Sequence, residues 1–160
     1  LLYGQHYRAG SLGGHLIVNY QGRKCSCGNV GCVEAHASSF FLPQIIQENE
    51  FLSQNFRNDI ANYNFKELFA QAAAGIVDAK LVIENCMDVW SAAIVNYIHA
   101  YDPQVVILGG GIMKSKDVIL PYIRRKVNAL AWCPDGKVEI MASILGDDAA
   151  LIAAGYYFFK

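Results

Sequence analysis

Helix-like and strand-like patterns alternate along the second half of this 160-residue chain, and that alternation constrains the fold more than any other feature. From Asp78 onward, Leu81, Val82, Cys86, Val89, Trp90, Ala93, Ile94, Tyr97 and Ile98 recur at three- and four-residue steps, which predicts one long helix with a broad buried face. Asp102-Pro103 ends it, because the residue before a proline is pushed out of helical geometry. The run Val105-Val106-Ile107-Leu108 is apolar throughout and rich in β-branched residues, the pattern of a strand buried on both faces. Gly109-Gly110-Gly111 closes that strand. A helix over Asp117 to Leu130, a strand over Val138 to Ala142 and a terminal helix over Asp148 to Phe159 complete the order. Such an order predicts an α/β layer with helices covering a sheet. The glycines put bare backbone at the carboxyl end of the strand, where open α/β sheets bind ligands. A nucleotide site and a plain tight turn needing positive φ both account for them.

The first forty residues are different. Gly4, Gly10, Gly13, Gly14, Gly22, Gly28 and Gly31 interrupt short apolar runs such as Leu16-Ile17-Val18, which predicts loops and short strands. From Ser38 to Asn64 the chain is aromatic and amide-rich, with Pro43 placed to open a short helix over Gln44 to Glu50. At 54% apolar and 17% charged residues the chain carries enough core-forming side chains to exclude a disordered or low-complexity segment. Thirteen basic against 14 acidic residues give a formal charge of −1, so this segment has no positive field for nucleic acid or an anionic membrane. The longest apolar stretches, Ala70 to Val77 and Leu151 to Phe159, are far shorter than the roughly 20 residues of a membrane span. The opening Leu1-Leu2-Tyr3-Gly4 has neither a Met nor the charged and small-residue features of a secretory signal. The expectation is a cytoplasmic chain that begins inside something longer.

Three of the five cysteines lie in Cys25-Ser26-Cys27-Gly28-Asn29-Val30-Gly31-Cys32, and His15 stands ten positions before the first. Thiolates spaced by one and then four residues converge on one point if the chain turns sharply, and Gly28 and Gly31 permit the turn. Three sulfurs and one imidazole make a closed tetrahedral zinc site, structural in kind because no position is left for water. A disulfide is disfavoured by the odd cysteine count and by the closeness of Cys25 and Cys27. Three reduced thiols that merely pack are disfavoured by polar, glycine-rich surroundings that offer no apolar bed. Cys86 and Cys133 do suit packing and receive no function.

The pattern from His15 to Glu34, continued by Ala35-His36-Ala37-Ser38, resembles the signature of the ROK family (repressor, open reading frame, kinase) of bacterial sugar kinases and sugar-responsive repressors. The stretch Asp102-Pro103-Gln104 to Gly111 resembles the family's strand and glycine turn beside the adenine of ATP, and Leu145-Gly146-Asp147-Asp148-Ala149 resembles its C-terminal part. The resemblance implies an α/β fold, the C-terminal lobe of an actin-like, ribonuclease H-like ATPase with a zinc-binding loop, covering the second half of a typical member. It implies a zinc and sugar loop over residues 10–40, a helical segment over 41–101 and a nucleotide-side α/β part over 102–160, the N-terminal lobe being absent. Metal ligands would be His15, Cys25, Cys27 and Cys32. His15, through its second ring nitrogen, and Glu34 would contact the sugar. Gly109, Gly110, Gly111 and Gly146 would let the nucleotide approach the backbone.

No catalytic residue is expected in this chain. The family's phosphate hairpin, catalytic aspartate and second phosphate loop lie upstream, so the segment alone would be inactive. The implied function of the intact protein is ATP- and Mg²⁺-dependent phosphorylation of a hexose or amino-hexose, by a homo-oligomer. The alternative is a sugar-sensing regulator with an upstream helix-turn-helix. One position departs from the pattern. The family has glutamate three residues before the histidine, whereas this chain has Leu12, which removes a hydroxyl-binding group unless Ser11 or His36 compensates. Left to itself, His36 reads as an ordinary polar residue on the next turn. The terminal Tyr156-Tyr157-Phe158-Phe159 run reads either as a subunit contact or as packing of the last helix on the sheet.

Overall fold

The computed structural model describes residues 12–59 and 63–158. The chain forms two compact units that divide between Ala93 and Ile94.

In the first unit, a 3-10 turn over Gly13–His15 leads into a loop closed by two isolated antiparallel bridges, Ile17 with Cys32 and Lys24 with Val30. Helices α1 (Val33–Ala37), α2 (Leu42–Gln47), α3 (Gln54–Asn58) and α4 (Phe65–Ala73) follow, and then α5 (Val77–Tyr101), whose length matches the predicted long helix. The predicted helix over Gln44 to Glu50 is shifted earlier, because Pro43 occupies the first turn of α2 rather than preceding it. Local chemistry explains the two helices that periodicity did not reveal. Ser53 accepts from the Phe56 N–H at the start of α3, and Asn64 accepts from the Glu67 N–H (3.0 Å) at the start of α4, each satisfying a donor that a helix start leaves bare. The first-unit part of α5 buries Ala79, Val82, Ile83, Cys86 and Met87, in steps of three and four residues. Cys86 is fully buried, and burial pushes its thiol up to about 12, in keeping with a packing role. Trp90 ties the end of α1 to α5 by donating from Nε1 to the Ala37 carbonyl (2.9 Å).

In the second unit, β1 (Val105–Leu108) pairs in parallel with β2 (Glu139–Ala142), Val105 facing Glu139 and Leu108 facing Ala142. Helix α6 (Lys116–Leu130) connects them. Its Ile119, Ile123 and Val127, one turn apart, are buried, and Arg124 Nε donates to the Ile140 carbonyl (2.8 Å), fixing helix to strand. Helix α7 (Ala149–Phe158) ends the described chain.

One expectation is corrected here and two are refined. Strand β1 is not buried on both faces: Val105 and Ile107 are 39% and 60% exposed, because the elements of this unit cover only the face of Val106 and Leu108. Asp102 leaves helical geometry as Pro103 predicts, and does so into the left-handed region (φ 46°). A short polar side chain tolerates that conformation as a helix terminator. Of the two readings of the terminal aromatic run, the 68% and 81% exposure of Tyr156 and Phe158 does not support burial against the sheet. Phe159 lies outside the described residues, as do Gly4, Gly10 and Ser11.

Candidate metal centre and adjoining sites

The loop from Asn19 to Cys32 is shaped by its glycines. Gly28 (φ 94°) and Gly31 (φ 81°) both lie in the left-handed region, as the spacing of the cysteines requires. At Gly31 the backbone presses on the Asn19 carbonyl so closely that a Cβ would sit 1.6 Å from its oxygen. The Gly31 carbonyl accepts from the Val18 N–H (2.9 Å), and the Gly31 N–H donates to the Arg23 carbonyl (2.8 Å). Gly31→Ala should therefore destabilise the first unit by about 2–5 kcal/mol, combining left-handed strain with a forced backbone shift. A urea unfolding midpoint unchanged from wild type would contradict this.

The turn brings His15, Cys25, Cys27 and Cys32 together, one ligand atom from each lying within 4.8 Å of the others. Cys27 Sγ and Cys32 Sγ are 3.7 Å apart, and Cys25 Sγ is 3.7 Å from His15 Nδ1. A tetrahedral zinc ion with bonds of about 2.3 Å to sulfur and 2.0–2.1 Å to nitrogen sets such separations at about 3.8 and 3.5 Å. These two pairs already stand at such separations, and the full set, within 4.8 Å, has to contract by at most about 1 Å to close on one ion. All five cysteines are free thiols. The acidities of Cys27 and Cys32 are shifted in opposite directions. The Asn29 backbone holds the exposed Cys27 thiol below its ordinary value, whereas burial, followed by the facing sulfurs, pushes Cys32 up to about 12. A divalent cation is the chemistry that lets three facing sulfurs all be thiolates.

The supposed lack of an apolar bed is also corrected. Cys25 and Cys32 are buried in a cluster with Ala35, Phe41 and Ile45, supplied by α1, α2 and the residue before α2. Ala35 follows Cys32 by one helical turn, but Phe41 and Ile45 lie 10 and 14 residues beyond Gly31, so the local composition gave no sign of them.

Glu34 stands at the edge of the cluster, in the first turn of α1, where a carboxylate is favoured by the helix dipole. Its Oε2 lies 3.6 Å from His15 Nδ1 and accepts from Ser26 Oγ (3.2 Å) and the Cys25 thiol (3.4 Å). His15 and Glu34 are each about one-third exposed, so a polar ligand can reach them. Leu12 is exposed, and its carbonyl accepts from the His15 N–H (2.9 Å). His36 is not an ordinary polar residue of the turn. Its Nε2 accepts the Arg23 backbone N–H (3.0 Å), and burial, with the Arg23 charge second, lowers its pKa. Its Nε2 is thereby committed to the loop.

In the second unit, Gly110 and Gly146 line one cavity of about 530 Å³ with Lys114, Lys116, Ser143 and Ile144. The cavity opens at the carboxyl ends of β1 and β2. Gly110 (φ 91°) and Gly146 (φ 57°) have left-handed backbones; Gly109 packs toward Ser143, and a Cβ at Gly111 would point into open space. Lys114 and Lys116 were not singled out from the sequence, although two cations just beyond a glycine turn are a legible signal for an anionic ligand.

The chain belongs to the ROK family, whose model matches residues 1–159. It is 30% identical over 147 residues to a glucokinase of Thermotoga maritima, covering 88% of this chain and 46% of the relative. It is 26% identical over 137 residues to the xylose repressor of Bacillus subtilis, covering 85% of this chain and 33% of that protein. Among solved structures, the ROK hexokinase of Thermus thermophilus superposes with a TM-score of 0.73 at 25% identity, covering 98% of this chain and 49% of that one. The actin-like ATPase architecture of those kinases agrees with the α/β elements described above. The chain spans about half the length of the glucokinases it matches. Among the described residues no helix is long and apolar enough to cross a membrane.

Proposed function

We propose that this chain is the C-terminal part of a cytoplasmic, ATP-dependent ROK sugar kinase that phosphorylates a hydroxyl of a hexose or amino-hexose. The observation that carries the proposal is the pairing of Glu34 with His15 at 3.6 Å, on the rim of a four-donor cluster, in a chain 30% identical to a glucokinase. His15, Cys25, Cys27 and Cys32 would hold the zinc. When bound, it supplies folding energy and a fixed imidazole orientation rather than a reactive site, since all four positions are taken by protein. With Nδ1 turned to the cluster, His15 offers its other ring nitrogen to a sugar hydroxyl. Glu34 accepts from hydroxyls through a charged oxygen, the strongest class of hydrogen bond available for this recognition.

The cavity of Gly110 and Gly146, flanked by Gly109 and Gly111, would take the nucleotide, with Lys114 and Lys116 supplying positive charge. Phosphoryl transfer depends on positioning and on Mg²⁺ with phosphate loops, and these, with the general base, would come from the remainder of a full-length member. The test is ADP release by the full-length protein with ATP and a panel of hexoses and amino-hexoses. Sugar-dependent turnover with at least one of them is expected; no turnover with any overturns the kinase reading.

A second reading is a sugar-sensing regulator. It is favoured by the likeness to the xylose repressor and by Leu12 where the family pattern has a hydroxyl-binding glutamate. For that reading the same panel gives no turnover, and one sugar changes the full-length protein's affinity for operator DNA.

A further inference from the structure

Arg23, two residues before Cys25, makes more structural bonds than its exposed, glycine-rich setting in the sequence suggests. Its backbone N–H donates to His36 Nε2 (3.0 Å), and its carbonyl accepts from the Gly31 N–H (2.8 Å), next to Cys32. The guanidinium reaches in two directions: Nη1 donates to the Ala35 carbonyl of α1 (3.0 Å), and Nε donates to Glu48 Oε2, at the end of α2 (2.8 Å). The Arg23 side chain is 16% exposed but Glu48 is 48% exposed, so the ion pair alone is worth little, and the part-buried bond from Nη1 to the Ala35 carbonyl is the firmer half of the guanidinium's grip. Gln44 donates to the other oxygen of Glu48, which keeps the carboxylate aimed at Arg23. The His36 ring lies against bare backbone at Gly22, where a Cβ would stand 2.2 Å from Nε2. These contacts join the segments carrying Cys25 and Cys32 to the helix carrying Glu34.

We infer that Arg23 is a positioning residue for the metal centre, clamping the cysteine loop to α1 and α2 through His36, Ala35 and Glu48 so that the sulfurs converge before an ion arrives. The inference rests on the zinc reading proposed above. It follows from the general behaviour of metal sites, in which groups that orient the ligands govern affinity without touching the ion. Arg23 is also where the loop is tied to Glu34: Ala35 and His36 directly follow that carboxylate in α1, so the clamp sets its place relative to Cys25.

The test measures zinc affinity of the intact protein by competition with a chromophoric chelator, at a temperature where the metal-free forms remain folded by circular dichroism. Arg23→Met keeps the length of the side chain and removes both guanidinium contacts; it should bind zinc about 10–100-fold more weakly than wild type. Arg23→Lys should recover part of the loss, because one ammonium cannot serve both the Glu48 carboxylate and the Ala35 carbonyl. Glu48→Gln, which leaves Arg23 in place, should fall between wild type and Arg23→Met. A role confined to general stability would lower the melting temperature of the metal-free form and leave zinc affinity of the folded protein unchanged. That result, with Arg23→Met within about twofold of wild type, overturns the inference. If Arg23→Met does not fold, Glu48→Gln and His36→Phe decide, and wild-type affinity in both overturns it. A wild-type protein that binds no zinc brings down the metal reading together with this inference, whereas unchanged affinity in the variants brings down this inference alone.

Discussion

Changing Cys27 to Ser should cost the intact protein most of its zinc and several kcal/mol of stability. Cys27 is the informative ligand because it is exposed, so the substitution opens no cavity and disturbs no apolar packing. Cys25 and Cys32 are buried with Ala35, Phe41 and Ile45, and removing either would mix packing loss with ligand loss. A serine hydroxyl does not ionise near neutral pH and is a poor partner for zinc, so affinity should fall by more than the roughly 10–100-fold lost when an orienting partner is removed. The stability consequence follows by mass action. At free zinc about 1,000-fold above the dissociation constant, a ligand that binds only the folded state stabilises it by about 4 kcal/mol. Cys27→Ser should lose most of that, and the difference from wild type should vanish when both are unfolded in excess chelator. Metal analysis and thermal melts with and without chelator give the answer. Equal zinc content in wild type and variant would remove Cys27 from the ligand set.

The second large effect is expected at Glu34. Glu34→Gln keeps the size of the side chain and removes the charge that makes its bonds to hydroxyls strong, so sugar affinity of the full-length protein should fall by about 10-fold or more, equivalent to about 1.4 kcal/mol or more. Zinc content should stay at the wild-type level, because Glu34 lies beside the four converging donors and is not one of them. Calorimetry of the preferred sugar, paired with metal analysis, separates the two. Unchanged sugar affinity would take Glu34 out of the sugar site; loss of zinc along with the sugar would instead place it among the groups that hold the metal loop.

The features readable from the sequence are those governed by short-range rules. Helix α5 follows from the step of three and four residues between Leu81 and Ile98, and the order of β1, α6, β2 and α7 from apolar runs punctuated by Pro103, the glycine triplet and Gly146. Convergence of His15 with Cys25, Cys27 and Cys32 was likewise legible as a possibility, because Gly28 and Gly31 permit the sharp turn that this cysteine spacing needs. Helices α3 and α4 announce themselves in the caps Ser53 and Asn64 rather than in periodicity. What the sequence concealed depends on contacts between distant residues. The exposure of Val105 and Ile107 is decided by which elements cover the sheet, and an apolar run carries no mark of which face stays open. The bond from Arg23 to His36 spans 13 positions and that to Glu48 spans 25, and both exist because the loop folds back across α1 and α2. The apolar bed under Cys25 and Cys32 arises in the same way.

The measurement closest to the central claim is X-ray absorption at the zinc edge of the purified intact protein. A first shell of three sulfurs at about 2.3 Å and one nitrogen at about 2.0–2.1 Å is predicted. A shell of oxygen and nitrogen without sulfur, or purified protein that shows no zinc edge at all, would contradict it.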